Sequence, residues 1–221
     1  MSPLRPTRRP TRRHPRRPAD FLRDETGATL VEFALVISLF LLIFFGLIDF
    51  GRLAYHLVTS QRAMQAAARI AAVRPAACPG VPDVIARLAS ATTTADYGTS
   101  CGAAGGPYCV NPGPITCAGV ATNPTAAEVW SQVNYALPGT ATIANLRFTY
   151  TYDARMGFLG GPYIPIVTVQ LQNVTFEFVT PLSALAAVAG AAPGGTVGAP
   201  ITLPGMSVSL PGEDLAQGGN G

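Results

Sequence analysis

The sequence predicts an α+β, membrane-anchored protein. One long N-terminal helix, about 28–73, crosses a bilayer in its first half and packs on a small antiparallel sheet with short helices. Three observations lead there. Phe33–Ile48 carries no charge over sixteen residues. A helical spacing of apolar residues continues beyond it until Pro75. Period-two alternation then dominates the C-terminal half. The boundaries that follow are a basic arm, 1–27; a transmembrane helix, 28–51; a helix extension, 52–74; and an extracytoplasmic α+β domain, 75–221.

The arm is set apart by charge. The chain has 221 residues and a formal charge of +3, and all its basic residues are arginine. Eight arginines against Asp20, Asp24 and Glu25 leave the first 27 residues at +5 and the rest at −2. Such an arm suits nucleic acid when aromatics are interleaved. Here only Phe21 is present and the arm runs straight into an apolar segment, so no nucleic-acid partner is expected. Charged residues make up only 12% and apolar ones 48%, which is far from a disordered composition.

The span comes next. Phe33–Ile48 with Ala28–Val31 and the flanking positions gives about 20 residues, the length that crosses the ~30 Å hydrocarbon layer. Leu, Ile and Phe dominate and no proline interrupts. Arginines precede the span in excess, while only Arg52 and Arg62 follow it closely. The positive-inside rule then keeps the N-terminus in the cytoplasm and places residues beyond about 51 outside, in the periplasm of a bacterium. A cleaved signal peptide has a shorter apolar region and a small-residue cleavage site. This run is longer and ends in "DFGRLAYHL".

The extension carries Leu53, Leu57, Met64, Ala67, Ile70 and Ala71 at helical intervals. Arg52, Gln61, Arg62, Gln65 and Arg69 fall largely elsewhere around the axis. A helix over 28–73 is about 69 Å long. Its alanine face suits either its own C-terminal domain or a neighbouring helix. Asp49 is expected to meet Arg52 three residues on, or water.

In the exported part, Cys78, Cys101, Cys109 and Cys117 allow three pairings, and the sequence selects none. The compartment favours two disulfides. Zinc competes, but there is no C-x-x-C and no histidine nearby. "TSCGAAGGPYCVNPGPITC" reads as a stapled loop flanked by two short helices. Pro82–Ala91 is one. The other starts at Asn123-Pro124, with Asn123 as cap, Pro124 in the first turn, and Thr125…Glu128 as an alternative box. Val129, Val133 and Leu137 face the core, with Trp130 partly buried beside them. "ANLRFTYTYD" puts Leu146, Phe148 and Tyr150 on one face. "IPIVTVQLQNVTFEFVT" alternates Val167, Val169 and Leu171, then Val174, Phe176 and Phe178. The parity change at Gln172-Asn173 predicts a bulge. Pro181–Ala189 reads as a short helix followed by a mobile loop. "ITLPGMSVSLPG" reads as a last strand broken at Pro204-Gly205.

Glu32 is the anomaly. A charge at the centre of a span costs roughly 2.5–3.5 kcal/mol on insertion scales, and less near the end. Snorkelling to the headgroups is one reading. The residues around it point further. "Gly27-Ala28-Thr29-Leu30-Val31-Glu32-Phe33" resembles the processing site of type IV pilin-like proteins. VEFAL at 31–35, the G-x-I-D/E-F-G-R-like run at 46–52 and the Q-x-A-x-x-A-A-R-like run at 61–69 resemble TadE-like and TadG-like pseudopilin-type proteins of the tight-adherence (Flp, type IVc) pilus system. The resemblance covers about 45 residues.

It implies that a prepilin peptidase cuts between Gly27 and Ala28, making residues 1–27 a leader and Glu32 the fifth mature residue. Glu32, with Phe33 beside it, would then pair with the freed amine of a neighbouring subunit. Such a pair is strong in low dielectric and penalised when broken. The resemblance also implies the one-helix-on-sheet plan, and as partners membrane lipid, the major pilin, other minor pilins and inner-membrane platform proteins.

No catalytic, cofactor-binding or metal site is legible. His14 and His56 have no partner the sequence can place. Asp83, Asp96, Glu128, Asp153, Glu177, Glu213 and Asp214 are scattered, and no nucleophile elbow or phosphate loop occurs. The leading expectation is a non-enzymatic minor pilin-like subunit acting by helix packing. The alternative is a single-pass anchored periplasmic scaffold or binding protein outside any filament. A membrane-tethered hydrolase would require acids or a serine gathered in an exterior pocket.

Overall fold

The computed structural model describes residues 28–90, 95–190, 192, 196–213 and 215. Helix α1, Ala28–Val73, runs without a break as expected. Its distal half lies across a four-stranded antiparallel sheet in the order β1-β2-β3-β6, built from β1 (Ile115–Ala118), β2 (Leu146–Thr151), β3 (Ile166–Leu171) and β6 (Met206–Pro211). Register is regular throughout: Phe148 faces Cys117 on one side and Val169 on the other, and Val169 faces Val208.

Alternation explains why this sheet has one buried face. In β2 Leu146, Phe148 and Tyr150 are fully buried, while Arg147 and Thr151 are exposed. In β3 Val167, Val169 and Leu171 point the same way. Against them α1 presents Met64, Ala67, Ala68 and Ala71, all with no exposed surface. Small alanine side chains on this face let a helix and a sheet pack closely, and these residues share one buried cluster with the strand side chains. The small-residue face of α1 is therefore covered by the protein's own domain.

Helix α2, Pro124–Val133, closes one end of this core. Asn123 Oδ1 accepts from the Ala126 amide at 2.9 Å, with Pro124 in the first turn. Thr125 does not form the alternative box; its hydroxyl donates to the Pro75 carbonyl at 2.7 Å and ties α2 to the end of α1. Val129, Val133 and Leu137 are buried and Trp130 packs partly buried against them.

Three expectations are corrected. The described part of Pro82–Ala91 is not helical. Ile85 exchanges backbone hydrogen bonds with Gly160 and Gly161 at 2.9 Å, and Leu88 and Ala86 bond to Tyr108 and Val110. Backbone partners from the cysteine loop and from 157–163 outweigh a weak local helix preference. The stretch 99–117, expected as loop throughout, ends in strand β1. The parity change at Gln172-Asn173 is not a bulge. Asn173 has φ 55° and turns the chain out of β3 into β4, Thr175–Phe176, which pairs with β5, Ile201–Thr202, in a separate two-stranded sheet. Pro204-Gly205 breaks the last strand as expected, leaving β5 in that small sheet and β6 in the large one.

Cys78 bonds Cys117 and Cys101 bonds Cys109. The first bridge joins the chain just past α1 to the edge strand β1. The second closes the glycine- and proline-rich loop over a small cluster of Ile85, Leu159 and Tyr163. All four sulfurs are consumed, which removes the zinc alternative for them.

Candidate functional site: the uncovered half of the long helix

Helix α1 changes character near Asp49. On the C-terminal side it is a core element. On the N-terminal side its apolar side chains stand uncovered: Leu30 is 71% exposed, Phe33 63% and Leu47 70%. A long apolar helix can equally be the core of a water-soluble protein, but such a helix is wrapped by its own chain. This one is almost bare over its most apolar stretch, and it is long and apolar enough to cross a membrane.

Glu32 sits in that bare region. It is exposed and makes no ion pair with another described residue. Phe33 next to it is exposed too. Ala28 is the first residue of the helix, while Gly27 and the arginine arm lie outside the described residues. Among the described residues, then, nothing pairs with the acid or covers Phe33.

The junction between the halves is built around Asp49, whose side chain has no exposed surface. Arg52 Nη1 donates to Oδ1 at 2.9 Å, the pair expected from spacing. The sequence reading missed the rest. The Thr180 amide donates to Oδ2 at 3.1 Å, its hydroxyl donates to the same oxygen, and the Val179 amide lies 3.4 Å from Oδ1. A buried carboxylate is tolerable only when its oxygens are met by donors. Here they come from a loop 130 residues away. Phe178 adds an edge contact to Phe50, with ring centroids 5.8 Å apart. The only hint in the sequence was a charged residue at the end of an apolar run.

Beside this junction a cleft is lined by Arg52, His56, Thr140, Phe176 and Glu177. The Arg52 guanidinium lies over the Phe176 ring, 5.4 Å from its centroid. Burial, then the nearby Arg52 charge, pushes the His56 imidazole below its usual range, and its Nδ1 has no hydrogen-bond partner. The cleft holds one acid and one histidine. The other prominent acids are engaged elsewhere. Glu128 takes a two-pronged contact from Arg74, which holds its carboxyl below the usual range. Asp153 is held low in the same way by Arg155. Among the described residues no group of three His, Cys, Asp or Glu side chains is placed to hold a metal ion.

No curated protein and no solved structure matches the chain. Residues 27–72, which take in almost all of the helix described above, match the family model described as TadE-like protein.

Proposed function

We propose that this protein is a minor pilin-like subunit of a tight-adherence pilus system, working through its bare helix rather than through chemistry. The carrying observation is the division of α1. Its distal half is fused into a disulfide-bonded domain, while its proximal half is largely bare among the described residues, and the TadE-like match runs along both halves. Residues 28–51 anchor it in the bacterial inner membrane, with the arm in the cytoplasm and the domain in the periplasm. In this reading the proximal half packs against the major pilin, sister minor pilins and the inner-membrane platform. Prepilin peptidase cleaves after Gly27, and Glu32 then pairs with the freed amine of a neighbour. In a dry helix bundle that pair sets axial register, because a one-turn slip leaves both charges unpaired.

Two measurements test this. The first residue of the mature chain, sequenced from membranes and from sheared filaments, is expected to be Ala28. Glu32→Ala is expected to insert and fold normally yet to abolish co-isolation with the pilus machinery; unchanged assembly sinks the register role. Stable retention of residues 1–27, with no protein in sheared filaments, favours the anchored scaffold.

A further inference from the structure

The exported domain carries one element that does not stay on the domain's side of Asp49. Helix α3, Leu182–Val188, begins two residues after Thr180, whose amide and hydroxyl bind the Asp49 carboxylate. It then runs beside the proximal half of α1. Leu182 and Val197 share an apolar cleft with Leu42, Ile43, Gly46, Leu47 and Phe50. Leu42 is seven residues before Asp49, or about 10 Å along the helix axis.

The chemistry of this element does not suit water. From Phe178 to Gly212 the sequence holds no charged residue. Within α3, Leu182 and Ala186 are buried against the rest of the chain. The opposite face is apolar as well: Ala184 and Ala187 are exposed, Val188 is 64% exposed, and Val179 just before the helix is 74% exposed. A helix apolar all round belongs in a core or in lipid. No described part of the chain covers this face, and the surface it continues is the bare surface of α1. Part of its backbone is paired within the chain: Pro181 has no amide, the Leu182 amide donates to the Thr180 carbonyl, and the Ala189 and Gly190 amides donate to Leu185 and Ala187.

We propose that α3 is a second membrane element, lying in the outer leaflet of the bilayer against α1. Asp49, Arg52 and Glu177 then mark the level of the headgroups. Depth agrees, since about 10 Å is within the outer half of a ~30 Å hydrocarbon layer and is the depth at which interfacial helices bury their apolar face. Lipid is favoured over a protein partner because the face is continuous with the lipid-facing surface of α1 and carries no polar group beyond Ser183. The inference rests on the reading of residues 28–51 as a membrane span.

The four cysteines are all in disulfides, so one introduced thiol reports alone. Phe40→Cys, Ala184→Cys, Val188→Cys and Ser131→Cys are made singly in the full chain. Each is labelled with a small fluorophore and reconstituted in phosphatidylcholine–phosphatidylethanolamine vesicles. Quenching is measured with acyl-brominated lipid and with external iodide. The expected result is severalfold stronger lipid quenching at Ala184 and Val188 than at Ser131, approaching that at Phe40, with iodide quenching largely lost. Iodide quenching at 184 and 188 equal to that at 131, with Phe40 still quenched by lipid, overturns the inference and leaves the span intact. Shielding of 184 and 188 from both quenchers also overturns it, in favour of a protein partner. Absence of lipid quenching at Phe40 overturns the span itself, and the placement of α3 with it.

Discussion

At the scale of residues, two ionisable groups at the junction of the two halves of α1 behave in opposite ways. Asp49 has every oxygen engaged, whereas His56 is half-buried, close to Arg52 and unpartnered at Nδ1. The histidine yields a pH prediction whose sign follows from linkage. Its folded pKa lies below the unfolded value of 6.5, so the unfolded chain takes up the proton first as the pH falls. Stability is then flat above about pH 7 and declines as pH drops through 6.5 toward the folded value. Glu177 also lines the cleft that His56 faces. Glu128 and Asp153 are held below the ordinary carboxylate range and do not titrate in this window. A thermal melt of the detergent-solubilised chain is expected to shift downward between about pH 7 and 5.5, and His56→Gln to flatten that shift. An identical shift in the variant rejects the assignment.

At the scale of elements, what the sequence made legible and what it did not divide along a physical line. Helix α1, helix α2 with its Asn123 cap, and strands β2 and β3 are each written locally, in periodicity, in a capping residue or in alternation. The misreadings at Pro82–Ala91, at β1 and at Gln172-Asn173 occur where distant backbone decides. Ile85 is extended because Gly160 and Gly161 pair with it, and Cys117 is in a strand because Phe148 lies opposite. The same limit hid the Asp49 clasp, whose donors are backbone amides at 179 and 180 and carry no sequence signature. Glu32 stood out in the sequence as a charge inside an apolar run, which is a local feature.

The disulfides allow a quantitative prediction at this scale. Cys78–Cys117 spans 39 residues and Cys101–Cys109 only eight. On the loop-closure account the longer bridge stabilises by about 4 kcal/mol and the shorter by about 2.5 kcal/mol. Denaturant titration is expected to show a larger loss for the double variant Cys78→Ala/Cys117→Ala than for Cys101→Ala/Cys109→Ala. The order matters more than the values. A reversal would mean that residual structure in the unfolded chain already closes the longer loop.

At the scale of the whole molecule, orientation is the property most open to manipulation. The arm carries eight arginines, and the near side of the extension only Arg52 and Arg62. On the proposed reading of residues 28–51 as a span, the positive-inside rule ties its direction to this asymmetry. Replacing the arm's arginines with glutamine is expected to produce a mixed population in which some domains face the cytoplasm. Protease protection of the domain in inverted vesicles reads out the fraction, and disulfide formation gives an independent marker because only an exported domain oxidises. Retention of a single orientation would place the determinant elsewhere, in the folding of the exported domain itself.

The Asp49 clasp has a mechanical consequence. A globular head on a slack stalk swivels and samples a wide volume above its anchor. Here the stalk is also the spine of the head, and the clasp pins the two together where they meet, so neither azimuth nor height is adjustable. The domain is fixed to its stalk like the head of a nail, so whatever the stalk packs against also sets the direction the domain faces. If the shaft is drawn upward, the head rises and turns with it as one solid piece.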